Sequence, residues 1–133
     1  MEVYQAIQNR RSVRAYNPQP IPEATLHKVL EALRLAPSAC NFQPWRFLLV
    51  QDPQLRQQVA AASCNQAWMA EAPVIVVACG IPAKAYKKMG GYGNSIDIDL
   101  AIALDHLSLA AVAEGLGTCW IGAFDETAVK TLL

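Results

Sequence analysis

The stretch SIDIDLAIALDHLSLAAVAE, residues 95–114, decides how this chain folds. Its apolar residues lie nearly all round a helical wheel, the pattern of a helix buried on most of its sides. Asp97, Asp99, Asp105 and His106 interrupt it, and the centre of a membrane span tolerates such groups poorly. The reading is therefore a long core helix from about Ser95 to Glu114, with Gly115 placed as its left-handed terminator. In a chain of 133 residues, one way to cover such a helix is a partner subunit.

Working outward, PVIVVACG (73–80) is a β-branched run bounded by Pro and Gly, and it predicts a strand. RFLLVQ (46–51) predicts a second strand, and TCWIGAF (118–124) a third with its exit. Between them lie helical signals. A short helix is expected over Val3–Gln8. In IPEATLHKVLEALRLAP, Leu26, Val29, Leu30 and Leu33 recur at the spacing of one buried helical face, and Pro37 stops the helix. Asp52 and Pro53 read as the cap and first turn of a helix reaching about Ala62, and Asp125 as the cap of a last one. NQAWMAEA adds a helical turn, whereas the lysines and glycines of residues 84–95 predict a mobile loop. Strands separated by helices give a layered α/β or α+β sandwich.

Length bounds the chain to one domain, residues 1–133. The amphipathic pattern is still running at VKTLL, so a further C-terminal portion is expected to cover Leu132 and Leu133. Eleven basic and eleven acidic residues cancel, which gives no broad attraction to nucleic acid or to an anionic membrane. Four scattered cysteines without a CxxC pair, and only two histidines, argue against a metal site. The N-terminus has no apolar signal core. Four unpaired thiols point to a cytoplasmic location.

Three constellations carry chemistry. In RRSVR an extended backbone puts Arg10, Ser12 and Arg14 on one face, a grip for a phosphate monoester. The competing reading is a solvated basic turn. PSACNFQPWRF (37–47) packs Ser38, Asn41 and Gln43 between Pro37 and Pro44. Such amides and hydroxyls suit the edge of a pyrimidine-like ring, or else satisfy their own backbone. Cys40 lacks a base near it in sequence and reads as an incidental thiol rather than a nucleophile. In GLGTCWIGAF (115–124), Gly122 lets a ligand ring approach bare main-chain N–H donors, although ordinary turn glycines would look the same.

Taken in order, RRSVRAYNPQPIP, APSACNFQPWRF, EAPVIVVAC and AAVAEGLGTCWIGAF resemble the successive hallmarks of the FMN-dependent nitroreductase family. The resemblance covers essentially the whole chain. It implies an α+β three-layer sandwich, a central mixed sheet flanked by helices, with the long helix at a homodimer interface that holds FMN. It further implies that Arg10, Arg11, Ser12 and Arg14 lie on the flavin's phosphate and pyrimidine side, Arg11 being the less certain of the four. Pro37, Ser38, Ala39 and Asn41 would wall the ring from the partner subunit, and Asn65 would reach its polar edge. Gly122 would point its backbone N–H at flavin N5, flanked by Ile121 and Ala123. Members of the family usually continue with a further strand, a basic residue near the phosphate and a tail reaching the other subunit. The implied activity is NAD(P)H-dependent, ping-pong reduction of nitroaromatics, quinones or similar small acceptors. Dehalogenase-like or protein-fed flavoproteins, and a flavin-binding subunit without turnover, are the alternatives.

Overall fold

A computed structural model describes residues 1–133. The chain runs α1 (Val3–Asn9), α2 (Glu23–Arg34), β1 (Trp45–Val50), α3 (Pro53–Ala62), β2 (Ile75–Gly80), α4 (Ile96–Ala113) and α5 (Glu126–Leu132). Short 3-10 turns cover Ala39–Asn41, Ala67–Glu71 and Pro82–Lys84. Local chemistry sets these boundaries. The Leu55 N–H donates to Asp52 Oδ1 at 2.8 Å and the Ala128 N–H to Asp125 Oδ1 at 2.9 Å, so both aspartates cap the helices that follow them. At the end of α4, Gly115 takes φ +79°. Leu116 N–H then reaches Ala111 O at 2.8 Å and Gly115 N–H reaches Val112 O at 3.0 Å, the paired bonds of a Schellman terminus.

β1 and β2 pair antiparallel, with Trp45 opposite Gly80 and Val50 opposite Ile75. Adjacent residues of a strand point to opposite faces, and each face has its own cluster. Leu33 and Ala36, from α2 and just beyond it, meet Ala103 of α4, with Trp45, Phe47 and Val76 packed against them. On the other face Val59, Ala60 and Met69 gather Ile75, Trp68, Ile121 and Leu132. Helices therefore lie on both sides of the strands, giving the expected three layers.

One expectation needs correction. Residues 118–124 form no third ladder: Thr118 makes one parallel bridge with Ser12, through Val13 N–H to Thr118 O at 2.9 Å. The neighbouring segment leaves after Val13, because Tyr16 N–H turns to Glu71 Oε2. Pro18, Pro20 and Pro22 then supply no donors. The described sheet thus has two strands. Within the single chain, α4 is covered along most of its length, only Asp97, Ile98 and Asp105 being exposed. Its fully buried positions are Asp99, Ala103, Ser108 and Ala111, a stripe of small residues. Leu100, Ile102, Leu104, Leu107 and Leu109 are half-buried, and Ile98 is exposed. Ala103 lets α2 pack close, with Ile102 and Leu107 beside it in the same cluster.

The lysine-rich segment is a small hairpin. Met89 and Gly93 form an antiparallel bridge, with Gly90 and Gly91 at φ +56° and +79° making the turn. No helix is long and apolar enough to cross a membrane.

Candidate functional site

Five non-glycine residues adopt left-handed backbone, and all five fall in two short segments: Cys40, Asn41 and Gln43, then Cys64 and Asn65. Such strain tends to gather at binding sites, where the surroundings over-determine it. The first segment is fixed from several directions. Gln43 N–H donates to Ser38 Oγ at 2.9 Å, and Asn41 N–H to Ser38 O at 2.9 Å. Ala39 N–H donates to Asp99 Oδ1 of α4 at 3.0 Å. Pro44, fully buried, carries the chain into β1. Pro37, Cys40 and Asn41 stay exposed, with Ser38 and Ala39 half-buried.

The second segment faces the exit strand region. Gln66 Nε2 donates to Ala123 O at 3.5 Å, and Asp125 N–H to Ala62 O at 2.9 Å. Those contacts hold the Asn65 corner beside Ile121, Gly122 and Ala123. Along that stretch the main-chain N–H groups from Cys119 to Phe124 meet no acceptor within the chain. A Cβ built on Gly122 touches nothing within 4 Å. The outcome is a stretch whose main-chain N–H groups have no partner within the chain, with unobstructed space beside Gly122.

At the head of this stretch, Arg10 and Ser12 line a cleft of about 160 Å³ together with Asp105, Ser108, Thr118, Cys119 and Trp120. Arg10 has no carboxylate within ion-pair distance. Asp105 nonetheless contributes a negative charge to the same wall, which opposes any anion there. Asp105→Asn is expected to tighten binding of a phosphate-bearing ligand by roughly twofold to fivefold, the scale of a solvent-screened charge contact. Equilibrium titration at low and moderate salt checks this, and an unchanged or weaker affinity would place the anion elsewhere.

Arg14 does not join that cleft. Its guanidinium sits 6.0 Å above the Trp68 ring, and Tyr16 stacks on the same ring at 6.3 Å. Arg11 is exposed and lines no part of the cleft. Tyr16 Oη donates to Val13 O at 2.7 Å. Burial, with a lesser push from Cys119 that outweighs Arg14, raises the Tyr16 phenol from 10.0 to about 12. The folded state thus keeps this proton longer than the unfolded one. Its contribution to stability is complete below pH 10.0 and fades as pH rises towards about 12. Tyr16→Phe should flatten the fall in stability across that window; identical alkaline profiles for the two proteins would show the phenol to be uncoupled from folding.

The structure therefore gathers Arg10 and Ser12 in one cleft, and Asn65, Ile121, Gly122 and Ala123 along the donor row that leads from it. It does not bring Pro37, Ser38, Ala39 and Asn41 to that cleft. Their anchor, Asp99, precedes Asp105 and Ser108 on α4 by six and nine residues, about 9 and 14 Å along the axis. Sequence reasoning missed Asp99, Asp105, Ser108, Thr118 and Trp120. A signal for Asp99 was present: Ser95 and Asp99 stand one helical turn apart at the head of an otherwise apolar run. Asp105 and Trp120 join the site only through tertiary contact. No group of three or more His, Cys, Asp or Glu residues is placed to hold a metal.

An α+β domain with helices on both sides of its strands and unpartnered main-chain donors beside a cleft lined by Arg10 and Asp105 has close relatives. The nitroreductase family model matches residues 7–66 and 54–133, and the chain belongs to that family. An archaeal relative from Methanothermobacter thermautotrophicus, provisionally named NADH dehydrogenase/NAD(P)H nitroreductase, is 32% identical over 124 residues, covering 93% of this chain and 62% of its own. The FMN reductase [NAD(P)H] of Bacillus subtilis is 29% identical over 135 residues, covering 92% of this chain and 54% of its own. Among solved structures, a nitroreductase family protein of Clostridium difficile 630 superposes with a TM-score of 0.89 at 27% identity, over 99% of this chain and 74% of that one. Nitroreductase A of Vibrio parahaemolyticus gives 0.86 at 27% identity, over 99% and 60%. The chain thus spans between about half and three quarters of the length of these relatives.

Proposed function

We propose that this chain is an FMN-dependent NAD(P)H oxidoreductase that reduces small conjugated acceptors such as nitroaromatics or quinones, and that it works as a homodimer. The observation that carries this reading is the row of unpartnered N–H donors from Cys119 to Phe124 beside the Arg10–Ser12 cleft. It suits a flat heterocycle with acceptors along one edge and a phosphate at one end. The names of the relatives, FMN reductase and NAD(P)H nitroreductase, support the same chemistry.

Arg10 and Ser12 would hold the phosphate, a guanidinium fork and a hydroxyl being well matched to its oxygens. Asn65 would meet the polar ring edge. The Gly122 N–H would lie against flavin N5, where a donor favours one redox state over another. Bound FMN would supply two-electron redox chemistry between a nicotinamide and the acceptor. The chain itself would orient the ring, offer a main-chain donor to N5, and leave the open side of Gly122 free for nicotinamide and acceptor in turn. No side-chain nucleophile is required.

The cleft, at about 160 Å³, falls below the ~300 Å³ at which small-molecule sites begin. It can take a phosphate but cannot enclose a flavin, so further walls must come from elsewhere. Pro37, Ser38, Ala39 and Asn41, exposed in part and distant along α4, would supply one from a second copy. The half-exposed apolar faces of α4, together with the exposed Val3, Tyr4 and Ile7 of α1, give that copy its docking surface.

The visible spectrum of the purified chain, followed by anaerobic mixing with NADH or NADPH, tests this reading. A flavin band that bleaches with either nicotinamide is expected. A flavin band that neither bleaches would point to a protein-fed or specialised flavoprotein. A colourless protein whose melting temperature ignores added FMN would overturn the reading.

A further inference from the structure

Asp99 is the one buried carboxylate of the chain, 2% exposed, and the chemistry outlined above leaves it without a task. No cation pairs with it. Its two oxygens instead serve two different segments. Oδ1 accepts the Ala39 N–H at 3.0 Å, and Oδ2 accepts the Ser95 hydroxyl at 2.7 Å. Ser95 Oγ in turn accepts the Tyr86 N–H at 3.2 Å, and Ser95 N–H donates to Tyr86 O at 2.9 Å. The charge sits in the first turn of α4, where the helix's positive end favours it.

We infer that Asp99 is a positioning residue that sets the backbone of the 38–43 wall and yokes it to the lysine–glycine hairpin of residues 84–95. Ala39 opens the run of left-handed residues that includes Cys40, Asn41 and Gln43. Fixing its N–H therefore fixes the entry to the strained segment. The same carboxylate orients the Ser95 hydroxyl so that its lone pair faces Tyr86, which closes the base of the hairpin. One carboxylate thereby holds two loops that share no other bond. This inference rests on the reading of residues 37–41 as a flavin wall for its functional meaning, but not for its structural content.

The chemistry predicts a split between variants. Asp99→Ala leaves both the Ala39 N–H and the Ser95 hydroxyl without acceptors in a buried place. Asp99→Asn keeps an oxygen for Ala39 but turns an N–H donor towards Ser95 Oγ, so the Ser95 hydroxyl proton loses its carboxylate acceptor while the second lone pair of Oγ can take the amide N–H. The Ala39 arm is then preserved and the Ser95 arm is weakened. Ser95→Ala removes the second arm alone.

Amide hydrogen exchange on the full chain reads each arm, with the β1 and β2 amides as internal control. Asp99→Ala should speed exchange at residues 38–43 and 84–95 by about tenfold or more, the scale of a lost charge-assisted bond, with β1 and β2 unchanged. Asp99→Asn and Ser95→Ala should speed only 84–95. FMN titration by fluorescence should show affinity weakened about tenfold in Asp99→Ala and restored to within about threefold in Asp99→Asn. Should Asp99→Ala fail to fold, the other two variants decide. A loosened hairpin with 38–43 intact supports the yoke, and wild-type exchange in both loops overturns it. A folded Asp99→Ala with normal exchange at 38–43, or an Asp99→Asn as loose there as the alanine variant, also overturns it. If the wild-type chain takes up no FMN, the functional reading fails while the exchange pattern still judges Asp99.

Discussion

Leu33→Ala is expected to lower the unfolding free energy by about 2–5 kcal/mol, the range for deleting a buried leucine. Leu33 comes from the periodic face of α2 and meets Ala36 and Ala103, with Trp45, Phe47 and Val76 around it. Its position is therefore where α2, α4 and the sheet converge. Ala103 is completely buried and already small, so on the α4 side only Ile102 and Leu107, which already pack against this cluster, could shift towards the void. Only 17 of the 133 residues are buried, which leaves the fold few other contacts on which to rely. Against a typical total of about 5–15 kcal/mol, this single change should remove a large share of stability. Urea unfolding would show a lower midpoint with an unchanged slope. Leu33→Met should keep the loss below about 1.5 kcal/mol. A loss under about 1 kcal/mol for the alanine variant would mean that the α2–α4 contact is not central to the core.

Arg10→Ala is expected to weaken FMN binding by about tenfold to a hundredfold, the scale of hydrogen bonds to a charged group. Arg10 is the basic side chain lining the cleft with Ser12 and Thr118. Arg10→Lys should recover only part of the affinity, because an ammonium keeps the charge but loses the two-pronged geometry. Arg11→Ala serves as the comparison. Arg11 lies next in the chain and outside the cleft, so it should change affinity by no more than about twofold. Fluorescence titration over a range of salt concentrations separates the two. Equal, weak and salt-sensitive effects at Arg10 and Arg11 would return the cluster to an ordinary basic surface.

The helices and the two strands were legible because each announces itself locally. Asp52 and Asp125 precede their helices as caps, Val29 and Leu33 repeat on one face of α2, and the β-branched run before Gly80 lies in β2. The segment from Thr118 to Phe124 misled for a physical reason. Its composition is that of a strand, yet composition says nothing about whether a neighbour stays alongside, and the neighbour departs after Val13. That same missing ladder leaves the N–H groups open, so the failed strand and the candidate binding edge are one feature. The basic cluster was half legible. Alternation put Arg10, Ser12 and Arg14 on one face, but Trp68, distant in sequence, draws Arg14 over its own ring. Asp99 was half legible as well, since Ser95 one turn before it marks only one of its partners. The carboxylate's real partners are Ala39, sixty residues away, and Ser95.

The stripe of small residues on α4 has a consequence for how this protein should be measured. Asp99, Ala103, Ser108 and Ala111 serve contacts within the chain, while the bulkier apolar residues are only partly covered. If a second copy covers them, folding and association become one equilibrium, and stability is no longer a property of the chain alone. Each tenfold dilution would then lower the apparent unfolding free energy of the dimer by about 1.4 kcal/mol. Melting curves recorded over a hundredfold range of concentration should shift steadily upward as the protein becomes more concentrated; superimposable curves would mean that one chain stands by itself. A mutation in the core and a simple change of dilution would act on the same quantity, and any comparison of variants has to hold concentration fixed.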